Sequence, residues 1–158
     1  MRMSLVEIVF LLAAAAAVAA ALPRCSSAPR ARVVRASWTF TPGVLNPDVT
    51  QATIGSTICT RGWTKTIRPP VSYTNELKRQ GELRYGLHGP PSAYQEDHLI
   101  SLELGGDPVD PRNLWPEPYP RATKVDTIEN ELNALVCEGR ISLEEAQRRE
   151  SALKHADG

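Results

Sequence analysis

"EDHLISLELGGDPVDPRNLWPE", residues 96–117, is the stretch whose reading decides the fold. Three ionisable groups, Glu96, Asp97 and His98, stand directly ahead of Leu99, Ile100, Leu102 and Leu104, a run patterned like a strand. The expected strand begins at Tyr94, and Gly105-Gly106 begins a turn. "DPVDPRN" then reads as a long loop, and Leu114-Trp115 as a second, returning strand. A core strand does not need three titratable groups at its mouth. Either the strand end is solvated, or the strand holds a reactive group in place.

Downstream the pattern turns helical. Val125, Ile128, Leu132, Leu135 and Val136 recur at helical spacing, and Gly139 fits a C-terminal stop. Ser142 and Glu145 form a capping-box pattern that opens a last helix, "LEEAQRRESALKH". Upstream, "ATIGSTIC" reads as a short strand, and "GWTKTIRPP" as an extended connection because proline biases its predecessor away from helix. "SYTNELKRQ" reads as a short helix capped by Ser72 or Thr74, and "YGLHGPPSA" as a loop. Trp63 and Trp115 are expected as core anchors, while Trp38 and Phe40 are placed to dock on the domain from outside it. The order strand, long loop, short strand, helix predicts an α+β fold.

The ends of the chain read differently. Arg2 precedes an apolar run from Ile8 to Leu22, 15 residues long, short of the roughly 20 that a membrane span needs but suited to a signal peptide. Residues 1–22 are therefore expected to be a cleaved signal peptide, with an uncleaved membrane anchor as the alternative, and the remainder extracytoplasmic. Residues 23–47 read as a linker and residues 48–158 as the domain. Cys59 and Cys137, 78 positions apart, are expected to pair in an oxidising compartment. Cys25 is the odd one out, and no Cys-x-x-Cys pair suggests a zinc ribbon. Formal net charge is zero, which speaks against a protein whose only role is to coat nucleic acid, though not against an enzyme with a few local cations.

Histidine at a strand end serves as a general base when a neighbour holds its ring, and its ordinary pKa near 6.5 suits neutral pH. A carboxylate beside it suits a hard divalent cation. Asn113, across the loop, is placed to fix the imidazole or the loop backbone. With these residues in place, "EDHLISLELGGDPVDPRNLWPE" resembles the HNH (His-Me finger) nucleases, whose pattern runs Asp/His-His, an apolar run, Gly-Gly, then Asn-Leu. The likeness spans residues 96–131. A wider run, from "TICTRGWTKTIRPPVSYTNELK" through "VCEG", is similar to small exported bacterial proteins described as HNH-like. The resemblance implies a ββα-metal core and hydrolysis of phosphodiester bonds in DNA or RNA. It implies His98 as general base, Asp97 as a metal ligand and Asn113 as the residue that orients the base through the loop. The implied cofactor is a divalent metal, Mg2+ first, with Mn2+ and Zn2+ as alternatives, and the implied partner is nucleic acid as substrate.

One departure matters. Nine positions after Asn113, where the family pattern carries a second ligand, stands Ala122, which has no ligand atom. Asp126 and Glu129 share a helix face at i, i+3 and are the expected replacements. The rival expectation is a non-catalytic exported HNH-like domain that has lost a ligand; a cell-envelope hydrolase using the same His and metal is a third. Glu103 is expected on a solvated strand edge, and Lys65, Arg68 and Lys78 as phosphate contacts or simply solubilising charges.

Overall fold

Two short antiparallel strands, β1 (Tyr94–His98) and β2 (Leu114–Pro118), form the sheet, in a register that runs from Tyr94↔Pro118 to His98↔Leu114. The chain is described by a computed structural model over residues 33–158. Four helices complete the α+β domain: α1 (Trp63–Ile67), α2 (Val71–Arg84), α3 (Arg121–Cys137) and α4 (Leu143–Ala156). Among the described residues no helix is long and apolar enough to cross a membrane.

Helix α3 follows β2 directly and lies against both strands. Its spacing places Val125, Leu132 and Val136 on one buried stripe, with Ala122 wholly enclosed at the start. Helix α4 packs on α3. Ser142 Oγ accepts from the Glu145 amide at 3.1 Å, and Glu144 and Glu145 in the first turn, with Lys154 and His155 in the last, oppose the helix dipole. Val136 and Leu132 meet Ile100, Leu104, Leu143 and Ala146 in the main core. Each large apolar side chain buried there stabilises by about 1.5–3 kcal/mol relative to exposure. The Cys59–Cys137 disulfide, with 5.5 Å between Cα atoms, ties the segment before α1 to the end of α3. On the other side, α2 approaches β2 so closely that a Cβ on Gly81 would stand 2.9 Å from Pro116 Cδ, which is why a glycine is accommodated in mid-helix.

Several local expectations are corrected. The strand ends at His98 rather than at Gly105; Leu102–Leu104 is a single 3-10 turn that buries Leu102 and Leu104. Glu103 is therefore not on a strand edge. "ATIGSTIC" holds a 3-10 turn, Ile54–Ser56, instead of a strand, because Ser56 and Thr57 hydroxyls donate back to the Thr53 carbonyl and stabilise turns. "GWTKTI" winds into α1 after Gly62, which takes a positive φ of 85°. Helix α2 starts after Pro70 with no side-chain cap from Ser72 or Thr74.

The packed chain also begins earlier than Asp48. Ala36 is buried with Leu99 and Trp115, its amide donating to the Lys154 carbonyl at 3.1 Å. Trp38 stacks on His155 with ring centroids 3.5 Å apart, and Phe40 meets the edge of Tyr85. The expected signal or anchor at residues 1–22, and Cys25, lie outside the described residues.

Candidate active site

His98 closes β1, and the loop that follows folds back over it. Its Nε2 faces the Pro108 carbonyl at 3.1 Å, an acceptor only, so Nε2 carries the proton and Nδ1 keeps a lone pair. Burial is the largest influence on the imidazole and outweighs the Pro108 carbonyl and the Asp97 charge. The pKa is lowered, and the ring is neutral at pH 7.

Asn113 holds the loop that supplies this carbonyl. Its amide is wholly buried and bonds the backbone on both sides of the turn. Oδ1 accepts from the Ile100 amide at 3.0 Å and the Val44 amide at 3.4 Å; Nδ2 donates to the carbonyls of Ile100 and Asp107, each at 3.0 Å. Asp107 precedes Pro108, so Asn113 fixes the carbonyl that orients His98 without touching the ring. Gly106 is part of the same fitting: a Cβ there would lie 1.8 Å from the Ile100 carbonyl and 2.7 Å from Asn113 Nδ2.

On the opposite face of β1 from Glu96 and His98, Asp97 meets α3 and α4. Asp97, Asp126 and Glu129 each bring one oxygen within 4.8 Å of the others, a spacing at which one cation can be shared. Asp126 is half-buried and accepts from Gln95 Nε2 at 3.1 Å. The point of convergence is not free of cations. Lys154, wholly buried on α4, donates from Nζ to Asp97 Oδ2 at 2.7 Å, to Glu129 Oε1 at 2.6 Å and to the His98 carbonyl, with Glu150 Oε1 at 3.4 Å. Glu150 in turn accepts the Ser101 amide through both carboxylate oxygens. Glu117, on β2 opposite Gln95, is wholly buried, and its carboxyl faces that of Asp97 at hydrogen-bonding range.

One ammonium balances one carboxylate, which sets the protonation of this interior. Burial opposes the charge on Asp97, but Lys154 beside it wins and holds its pKa below the usual range. Burial likewise opposes the Lys154 charge, and Asp97, Glu150 and Glu129 together hold it well above its usual value. Burial, followed by the Asp97 charge, pushes Glu117 up. Glu129 is pushed up by burial against the pull of Lys154, and Glu150 moves in the same direction for the same reason. Asp97 and Lys154 are thus the central ion pair, and burial shifts the glutamates around them toward the neutral form.

Glu96 points the other way, toward α2. Burial first, then the Asp97 charge, raise it from 4.5 to about 8, and its Oε2 has no partner. The folded chain therefore keeps a proton that the unfolded chain releases above 4.5. The stability tied to that proton is fully present below the unfolded pKa and is lost as pH rises toward about 8. Glu96→Gln is expected to reduce the fall in urea midpoint between acid and mildly alkaline buffer. A fall equal to that of the wild type would refute the assignment.

The structure brings together Asp97, Asp126 and Glu129 as one group, and joins His98 to Asn113 through the loop backbone. It places Arg68 near enough for its charge to act on His98 and on Glu103, whose half-buried carboxyl is raised by burial. Lys154, Glu117 and Glu150 escape the sequence reading. The available signal was Glu150 and Lys154 at i, i+4 on the stripe that Leu143 and Ala146 bury, where apolar residues are expected. An all-oxygen donor set of Asp97, Asp126 and Glu129 fits Mg2+ or Mn2+ better than Zn2+. The residues fit such an ion, with Lys154 already bonded to two of them. Compared with protein-family models, curated proteins and solved structures, the chain matches none.

Proposed function

We propose that this domain is an exported, metal-dependent endonuclease of HNH-like, ββα-metal architecture that hydrolyses phosphodiester bonds in DNA or RNA. The observation that carries the reading is His98, neutral and held through Nε2, directly after Asp97, whose carboxylate groups with those of Asp126 and Glu129 within 4.8 Å of one another. His98 Nδ1 takes the proton from the water that attacks phosphorus, while the scissile P–O bond breaks and the leaving oxygen takes a proton from solvent. The Pro108 carbonyl keeps the ring in the tautomer that leaves Nδ1 able to accept, and Asn113 holds that carbonyl in place. Asp97, Asp126 and Glu129 would hold the divalent ion, which would supply positive charge against that developing on the phosphate. Arg68, exposed beside the site, adds a positive charge for substrate. The Cys59–Cys137 bond suits an oxidising, extracytoplasmic location.

Lys154 favours a second reading, a non-catalytic domain with the same frame, because its ammonium already satisfies Asp97 and Glu129. Incubation with plasmid DNA and with RNA, in Mg2+, Mn2+ or EDTA, separates the two. Cleavage is expected with metal, to stop in EDTA, and to fall about a hundredfold or more in His98→Ala. Cleavage that survives both would assign the activity elsewhere, and no cleavage under any metal would leave the non-catalytic reading.

A further inference from the structure

We propose that Lys154 is the chain's own resident cation in the carboxylate site, and that a divalent ion binds only by displacing its ammonium from Asp97 and Glu129. The inference rests on the metal-site reading above and adds a competitor from α4 that the reading does not require.

Geometry sets the two cations in competition for the same carboxylates. Nζ stands 2.7 Å from Asp97 Oδ2 and 2.6 Å from Glu129 Oε1. An ion at the usual Mg–O distance of about 2.1 Å from both oxygens would lie within about 4 Å of Nζ, on either side of the line joining them. A dication and an ammonium that close, in an interior without water to screen them, repel strongly. Lys154 is fully buried, so its charge cannot simply swing into solvent.

Glu117 marks a place within the interior to which the ammonium can move. Its carboxyl is wholly buried, lies against Asp97 at hydrogen-bonding range and is within reach of the Lys154 charge. Glu150, already 3.4 Å from Nζ, lies on the same helix as the lysine. A displaced ammonium has these two acceptors to move to without leaving the interior. The apo domain is thereby folded with its carboxylates already compensated, and metal binding is weakened by the work of moving Lys154.

The test compares Mn2+ binding by the folded, disulfide-bonded wild type and by Lys154→Met, using calorimetry and the EPR signal of free Mn2+. Lys154→Met is expected to bind at least about tenfold tighter, the factor that ~1.4 kcal/mol of relieved repulsion supplies. Its thermal midpoint is also expected to rise with Mn2+ by more than that of the wild type. A folded Lys154→Met that binds no tighter than wild type overturns the proposal; if the wild type still binds Mn2+ and cleaves DNA, the metal-site reading survives it. Absence of Mn2+ binding by both chains overturns the two together. Should Lys154→Met fail to fold, the wild type decides, through the NMR signal of the buried Lys154 ammonium during an Mg2+ titration. That signal is expected to shift or vanish as Mg2+ binds, and an unchanged signal at saturation overturns the displacement.

Discussion

Asn113→Ala is expected to lower the unfolding free energy by about 3–5 kcal/mol, because it strips partners from four backbone groups at once. The Ile100 amide and carbonyl, the Asp107 carbonyl and the Val44 amide all converge on this one side chain. A buried amide or carbonyl left unmet costs about 1–3 kcal/mol, and a water entering the space recovers only part of the sum. The Gly106 backbone lies so close to the Asn113 amide that the cavity has little room to relax around a new partner. Urea denaturation of wild type and variant reads the change directly. A loss under about 1 kcal/mol would mean that the loop finds other partners, and that Asn113 does not hold the Pro108 carbonyl over His98.

The paired substitution Cys59→Ser, Cys137→Ser is expected to cost about 4 kcal/mol by releasing a long loop in the unfolded chain. The bond spans 78 positions, and the enclosed segment contains both strands, His98, Asn113 and most of α3. Unfolding the oxidised chain therefore leaves every site residue except those of α4 inside a closed ring. A domain of this size usually has a margin of only about 5–15 kcal/mol, so the reduced protein should be marginal near body temperature. Denaturant midpoints of oxidised wild type and the double variant check this. Equal midpoints would place the stabilisation elsewhere.

Much of the frame is legible in the sequence. Helix α3 declares itself by a long apolar stripe, and α4 by the Ser142 cap, since each is local and repeats over several turns. The segment after His98 misleads because apolar alternation over a few residues is shared by a buried strand and by a turn that buries its leucines. The Ile100 and Ser101 amides are taken by the side chains of Asn113 and Glu150 instead of by a sheet partner. That competition is invisible from residues 96–106 themselves.

Asp97, His98 and Asn113 are legible because they lie within one short motif whose spacing carries them to the same end of the sheet. Asp126 and Glu129 are legible as a pair because i, i+3 on a helix fixes a shared face. Lys154, Glu117 and Glu150 come from other elements, and only packing α4 on α3 and β1 brings an ammonium into contact with Asp97 and Glu129. Sequence alone determined which groups could bind a metal and which histidine could accept a proton, through chemistry and local spacing. Tertiary structure alone decided that the carboxylates already share a cation, because charges 57 positions apart in the chain meet only when the helices that carry them pack together.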